Sequence, residues 1–139
     1  MIIDATNTIM GRVAATAAKK ALEGEKVDII NSEKAIISGK RSTVVARFRQ
    51  QRNRGGPYHG PYLPRTPHMF LKRVIRGMLP YKKERGMSAW KRITCHLGVP
   101  EKLKNQKAET LKNAGVEKLQ TAKYIDIKQL TKELGVKER

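Results

Sequence analysis

The sequence has almost no cysteine and no long apolar run. Cys95 is the single cysteine among 139 residues, so no disulfide can form within the chain, and a reducing compartment is expected. The first residues, MIIDATNTIMGR, lack a basic leader followed by a long apolar stretch, which argues against a secretory signal. No apolar run approaches the roughly 20 residues that a membrane-spanning helix needs. We therefore expect a soluble chain of the cytoplasm.

Motifs for cofactor and metal chemistry are also missing. Gly11 stands between a strand pattern and a helix pattern, but a dinucleotide-binding turn needs three glycines at fixed spacing. No phosphate-binding loop with Gly-Lys-Ser or Gly-Lys-Thr occurs. Cys95 and His96 are neighbours on a predicted strand and point to opposite faces, so they are poorly placed to share a metal. We expect no cofactor and no metal, and Arg12 lies near a predicted helix N-terminus where it can meet a phosphate.

Acidic residues are scarce in the middle of the chain. The chain holds 30 Lys and Arg against 12 Asp and Glu, a formal net charge of +18. Residues 40–92, called the basic segment below, contain 15 basic side chains and one acidic side chain, and so supply +14 of that total. A surface that collects one sign of charge is typical of proteins that bind phosphates, so the basic segment predicts a nucleic-acid partner.

The first 40 residues alternate between strand and helix patterns. MIID, KVDIIN and AIIS are short β-branched runs bounded by turn residues, which predicts three strands. Between the first two, Val13, Ala17 and Ala21 recur at helical spacing, and Gly24 stands where the helix would end. The order strand, helix, strand favours parallel pairing and an α/β layer.

Two amphipathic helices are predicted on either side of a loop in the basic segment. Val44, Val45 and Phe48 mark the apolar face of a helix from Lys40 to about Gln51. The second helix lies in PHMFLKRVIRGML, where apolar and basic residues occupy opposite arcs. The apolar arc comprises Phe70, Leu71, Val74, Ile75 and Met78, and the basic arc comprises Lys72, Arg73 and Arg76.

The remainder is predicted to contain a helix, a strand and a short final helix. After a helix over about 82–90, Ile93, Cys95 and Leu97 alternate with polar residues as in a strand, with Cys95 in the core. Pro100 is expected to close a domain of residues 1–100. Residues 101–139 are expected to form an appendage, in which DIKQLTKELG predicts a helix near 127–134 with Asp126 as its N-cap.

The loop between the two amphipathic helices is rich in proline and glycine. RFRQQRNRGGPYHGPYLPRTP, residues 47–67, holds four of the six prolines and cannot form its own ladder of backbone hydrogen bonds. Its arginine forks suit phosphates, and its aromatic and imidazole rings can stack on exposed bases. These residues are Arg49, Arg52, Arg54, Arg65, Tyr58, His59 and Tyr62. The alternative is an ordinary mobile surface loop, and we expect residues 52–66 to stay disordered until RNA binds.

Several motifs, in order, resemble one family of ribosomal proteins. GRVAA follows the first strand, VDIINSEKAIISGK and GGPYHGPY come next, and VIRGMLPYKKERG is the most specific piece. Over roughly residues 2–100 the chain is similar to the thirteenth protein of the large ribosomal subunit, and the YHGPY form of the loop points to the archaeal and eukaryotic branch. Residues 101–139 carry no motif that matches.

The strand and helix patterns predict a small, mainly parallel four-stranded sheet, a basic Pro/Gly loop and a C-terminal helical appendage. The resemblance implies that this sheet lies in a three-layer α/β/α sandwich. It also implies a structural constituent of the large subunit that binds large-subunit ribosomal RNA, contacts neighbouring ribosomal proteins and supports assembly and translation, without enzymatic activity, membrane or small-molecule substrate. The family's basic residues carry over to Arg12, Lys40, Arg73, Arg76 and Arg85. With the charge pattern added, the other expected RNA-binding residues are Arg41, Arg47, Arg49, Arg52, Arg54, Tyr58, His59, Tyr62, Arg65, Lys72, Lys82 and Lys83.

Two other functions stay open at this point. An RNA-modifying enzyme or nuclease would need paired carboxylates, and Asp4 with Asp28, at neighbouring strand ends, is the arrangement that the sequence offers. Nothing supplies a base with an orienting partner. A DNA-compacting protein would bind any duplex equally well, whereas a ribosomal protein would prefer structured RNA.

Overall fold

The computed structural model describes residues 1–56 and 58–135. In chain order their strands and helices are β1 (Ile2–Asp4), α1 (Met10–Leu22), β2 (Val27–Ile30), β3 (Ile36–Ser38), α2 (Arg41–Arg52), α3 (Pro67–Met78), α4 (Glu84–Lys91), β4 (Ile93–Cys95), β5 (Tyr124–Asp126) and α5 (Ile127–Glu133). Short 3₁₀ turns span Ser32–Lys34, Glu101–Leu103 and Val116–Lys118. The α/β class and the predicted helices are confirmed.

Local sequence explains where two of the helices begin and end. Gly24 follows α1 with φ of +102°, a conformation that favours glycine, and its N–H bonds the Ala21 carbonyl at 3.2 Å. Pro67 is the first residue of α3, where its missing N–H is not needed and its fixed φ suits a helix. Both ends are therefore set by the residue types that the sequence supplies.

A parallel three-stranded sheet, in the order β1-β2-β4, forms the centre of the molecule. Ile3 pairs with Ile29, and Ile29 pairs with Cys95, so these side chains share one face of the sheet, and all three are buried. The opposite face is more polar, because it carries Asp4, Asp28 and Thr94. One face thus belongs to the apolar core and the other offers hydrogen-bonding groups.

The expectation of one four-stranded sheet is wrong for β3. Strand β3 pairs antiparallel with β5, with Ile37 opposite Ile125, in a separate two-stranded sheet. Only residues 31–35 separate β2 from β3, whereas parallel neighbours need a crossover of about a dozen residues or more. The turn after β2 also passes through Asn31 in the left-handed region, with φ of +52°. Strand β3 therefore turns away from the parallel sheet and finds its partner in the last third of the chain.

Contacts between helices connect α1, α3, α4 and α5. Helix α1 packs directly against α3 and α4, and α3 also contacts β4. Helix α2 contacts β5, and α5 contacts both β5 and the 3₁₀ turn at Ser32–Lys34. A core that includes Ile3, Phe70 and Ile75 joins these elements. The three-layer order of helices and sheet stays a prediction.

Residues beyond Pro100 contribute to that same core. Ile125, Ile127 and Leu130 are buried together with the side chains of the first 100 residues. The backbone of Glu109 also pairs with β1, since its N–H bonds the Ile2 carbonyl at 2.8 Å and its carbonyl accepts from Asp4 N–H at 3.1 Å. The division into domains stays a prediction, and these contacts show the segment packed into the body where an appendage was expected.

Two predicted apolar positions are exposed, and Cys95 is buried as predicted. Met78, at the end of α3, is 44 % exposed, because the buried face of that helix ends at Ile75. Leu97 is 52 % exposed, because β4 ends at Cys95 and the chain turns at Gly98, with φ of +60°. Burial raises the pKa of the Cys95 thiol to about 12, which keeps it in the unreactive protonated form.

Candidate nucleic-acid interface

The predicted RNA-binding residues lie mostly at the surface of the described structure. Most are exposed: Arg12, Lys40, Arg41, Arg47, Arg49, Arg54, Tyr58, His59, Tyr62, Arg65, Lys82, Lys83 and Arg85. Four are half-buried: Arg52, Lys72, Arg73 and Arg76. They fall on α2, the loop after it, α3, and the turn and first residues of α4, so one continuous stretch of chain presents nearly all of them.

Helix α2 separates its arginines into two kinds. Val44 and Val45 face the core, and Arg49 points outward without a side-chain hydrogen bond or ion pair to any described residue. In contrast, Arg41 pairs with the carboxylate of Glu133, and Arg52 donates a hydrogen bond to the carbonyl oxygen of Leu134. The outward arginine is free to meet a phosphate, whereas the other two also fasten α2 to the end of α5.

Two of the three cations on the basic arc of α3 lie over aromatic rings. The Lys72 ammonium lies 4.9 Å from the centre of the Trp90 ring. The Arg76 guanidinium lies 5.0 Å from the centre of the Tyr81 ring. A guanidinium stacked in this way keeps its N–H groups directed outward in its own plane, where they can bind a phosphate. These contacts hold the charges in position before any partner arrives.

A tight turn between α3 and α4 presents three more cations. Lys83 N–H bonds the Pro80 carbonyl at 2.9 Å, and Lys82, Lys83 and Arg85 all remain exposed. Gly86 is buried directly beneath this turn, and a Cβ there would overlap the Pro80 carbonyl. Only glycine allows this close approach, a role that sequence reasoning did not assign. The position of Gly86, directly after the turn sequence LPYKKER, was the feature of the sequence that could have indicated this role.

The Pro/Gly loop carries the most exposed aromatic residues of the interface. Tyr58 is 88 % exposed and Tyr62 is 64 % exposed. Gly55 and Gly60 both have positive φ, of +79° and +68°, and Gly55 lies directly against the Gly60 carbonyl. The loop thus folds back on itself and leaves its rings facing outward.

Arg12 has a partner inside the protein. It lies in the first turn of α1, and its guanidinium donates a hydrogen bond to the carbonyl oxygen of Asn113. That contact joins α1 to the segment that runs beside β1. The side chain is exposed, so its remaining N–H groups still face outward.

The two carboxylates of the enzyme hypothesis are used separately. Asp4 accepts hydrogen bonds from Thr6 and from Asn31, the latter at 3.0 Å. Burial opposes ionisation of Asp4, but these hydrogen bonds outweigh it and lower its pKa. Asp28 lies two positions away in register and its oxygen is 3.1 Å from His96 Nε2, a pairing that sequence reasoning missed because it depends on the register of β2 and β4.

Metal and membrane sites are likewise absent from the part of the chain that the structure describes. Over residues 1–56 and 58–135, no three His, Cys, Asp or Glu side chains are grouped to hold a metal ion. Within the same residues, no helix combines the length and the apolar character that crossing a bilayer requires.

Comparison with known proteins identifies one family of ribosomal proteins. The family model described as Ribosomal protein L13 matches residues 1–102. The large ribosomal subunit protein uL13 of Methanosarcina barkeri is 44 % identical over 137 residues, which cover 98 % of each chain. The proteins of the same name from Methanococcoides burtonii and Archaeoglobus fulgidus are 40 % and 39 % identical, over 98 % and 96 % of this chain and 98 % and 86 % of their own lengths.

These relatives are archaeal, in agreement with the branch that the YHGPY loop indicated, and they extend through the residues beyond 102 that the family model leaves out. Both the family model and the relatives cover far more than half of the chain. The chain belongs to the ribosomal protein L13 family.

Proposed function

We propose that this chain is a structural constituent of the large ribosomal subunit, where it binds large-subunit ribosomal RNA and supports subunit assembly and translation in the cytoplasm. The three relatives each bear the name of a large-subunit protein, which supports a place in the large subunit for this chain as well. Their names give no support to the hypothesis of an RNA-modifying enzyme. Ribosomal RNA is negatively charged, and a net charge of +18 favours binding to a partner of that kind.

The observation that carries the proposal is the placement of charge in the basic segment. Its helices α2 and α3 direct apolar residues such as Val45 and Phe70 into the core, and leave basic residues on their other sides. Glu84 is the single acidic residue there, so little competes with phosphates for these cations. An interface of this kind fixes orientation through backbone phosphates and reads the shape of the RNA more than its base sequence.

We further propose different tasks for the basic residues. Arg49, Arg54, Arg65, Lys82, Lys83 and Arg85, which are exposed, contact phosphates directly, together with Lys40, Arg47, Lys72, Arg73 and Arg76. Arg12 and Arg41 mainly hold neighbouring segments in place, because each has a partner within the protein. Tyr58, His59 and Tyr62 offer rings to unpaired bases.

Neighbouring ribosomal proteins are the second class of partner that we propose. Exposed apolar side chains occur on the described surface, among them Met87 on α4 and Leu97 after β4. Side chains of this kind favour contact with another protein surface over contact with a phosphate backbone. A neighbouring protein that binds at these apolar side chains leaves the cations free to bind RNA.

Sedimentation of a tagged chain from a lysate of the source organism tests the proposal. We expect the chain to travel with the large subunit in a sucrose gradient and to remain there as the salt concentration rises, because many phosphate contacts act together. A chain that stays at the top of the gradient at every salt concentration would overturn the proposal. Competition on isolated ribosomal RNA separates the DNA-binding alternative, since duplex DNA should displace the chain poorly.

A further inference from the structure

A partly open hollow lies between the end of α2 and the Pro/Gly loop. It has a volume of about 390 Å³, and the residues that line it include Arg52, Arg54, Arg65, Tyr62 and Gly60. We propose that this arginine hollow holds a single unpaired nucleotide of ribosomal RNA, with the phosphate on the arginines and the base against Tyr62. The inference rests on the proposed function and adds to it a particular kind of ligand.

The charge of the hollow suits a phosphate. Three arginines line it, and the described residues of its wall include no Asp or Glu. Arg52 is held by its hydrogen bond to the Leu134 carbonyl, whereas Arg54 and Arg65 have no side-chain hydrogen bond or ion pair with a described residue. A fixed cation beside two free ones can surround a phosphate and bind it through several charged hydrogen bonds at once.

The shape of the hollow depends on glycine. A Cβ on Gly55 would overlap the carbonyl oxygen of Gly60, and a Cβ on Gly60 would lie 3.0 Å from the Tyr62 ring. Both glycines also have positive φ. Because no other residue fits either position without a shift, the loop holds a closed turn with Tyr62 beside it. The two glycines are therefore required for the wall of the hollow as the structure describes it, and disorder of residues 52–66 before RNA binds stays a prediction.

The size of the hollow and its aromatic wall point to one nucleotide and not to a helix. About 390 Å³ falls at the lower end of the range of small-molecule sites, roughly 300–1,000 Å³, and a double helix does not fit into such a space. Tyr62 is 64 % exposed and lines the hollow, together with Leu63 and Pro61. A base can stack on such a ring only when it is unpaired and turned out of its helix.

Chemical footprinting on large-subunit ribosomal RNA, stripped of protein, tests the inference. Dimethyl sulfate reports the exposure of bases, and hydroxyl radicals report the exposure of the backbone. The native chain should protect an unpaired base. Tyr62→Leu should restore the reactivity of that base and weaken binding about 5- to 100-fold, as expected for the loss of one base stack, while the backbone footprint elsewhere persists.

Two control variants accompany the test. Tyr58→Leu removes the more exposed tyrosine, which does not line the hollow; it should lose the contact of its own ring with RNA, but the base that depends on Tyr62 should stay protected. Gly55→Ala should expose the same base without any change of charge, whereas Gly77→Ala adds a methyl group on α3 with nothing within 4 Å and should not. Circular dichroism checks that each variant is folded.

The outcomes separate the hollow from the wider interface. If native and Tyr62→Leu proteins give identical base reactivities and equal affinities, the nucleotide site is refuted while the backbone footprint still supports RNA binding. If Tyr58→Leu exposes the base as strongly as Tyr62→Leu does, the ring that binds is not in the hollow, and the inference fails. If the native chain leaves no backbone footprint at all, the proposed function fails as well.

Discussion

Arg52 donates a hydrogen bond from its guanidinium to the carbonyl oxygen of Leu134, which joins the last residue of α2 to the residue after α5. Arg41 and Glu133 form an ion pair near the other end of α2. The helix that presents Arg49 to solvent is therefore fastened to the C-terminal segment at both ends. Residues far apart in the chain determine how this part of the basic surface is oriented.

The Arg52 contact predicts a difference between two arginines of one helix. Arg52→Met should lower the free energy of unfolding by about 1–3 kcal/mol, because it leaves the half-buried Leu134 carbonyl without its charged donor. Arg49→Met should change it by less than about 0.5 kcal/mol, because that side chain is exposed. Urea unfolding followed by circular dichroism measures both. Equal losses of stability would contradict the anchoring role of Arg52.

The basic arc of α3 predicts a change in salt dependence. Replacing Arg73 and Arg76 together by Ala should weaken binding to large-subunit ribosomal RNA and reduce the slope of log affinity against log salt by about 1 for each lost phosphate contact. Filter binding over a series of salt concentrations gives the slope. Lys102→Ala with Lys104→Ala removes the same charge from exposed positions outside the basic segment and should leave more of the slope intact. An unchanged slope in the α3 variant would exclude that face.

The turn between α3 and α4 predicts opposite effects at two glycines. Gly86→Ala should destabilise the protein by about 1–3 kcal/mol, since the added methyl group would overlap the Pro80 carbonyl. Gly77→Ala, in α3 with open space around it, should stabilise by about 0.5–1 kcal/mol through helix propensity. Thermal unfolding measures both changes. A neutral Gly86→Ala would show that the turn yields easily and does not position Lys82 and Lys83.

The buried thiol predicts slow chemical modification. The pKa of Cys95 is raised to about 12, first because of burial, so at pH 8 hardly any of the reactive thiolate is present in the folded protein. A disulfide reagent such as Ellman's should therefore label the native chain slowly at pH 8 and label it fully after unfolding in guanidinium chloride. Rapid labelling of the folded chain at pH 8 would show that the strand opens readily.

Local sequence patterns were enough to predict the helices and the basic surface. The periodicity of Phe70, Leu71 and Ile75 predicted α3. The near absence of acidic residues from the basic segment predicted a surface of positive charge. These features depend on residues a few positions apart. The same reasoning predicted a buried Cys95 from simple alternation along a strand.

Features that depend on distant contacts were beyond such patterns. The pairing of Ile37 with Ile125 joins parts of the chain separated by more than 80 residues, and the short strand YID shows no pattern of its own. The inward roles of Arg41 and Arg52 follow from where α5 packs, which the charge pattern does not contain. Sequence reasoning therefore predicted the interface as a segment, and it stays a prediction, while the internal contacts of individual arginines required the structure.

The antiparallel pairing of β3 with β5 can form only late in the synthesis of the chain. The chain leaves the ribosome from its N-terminus, so β3 emerges long before Tyr124–Asp126 can pair with it, and α2 emerges before the residues that fasten it. A chain terminated early would carry nearly the whole basic segment without the orientation that α5 imposes. The contacts that orient α2 therefore form only after β5 and α5 have been synthesised.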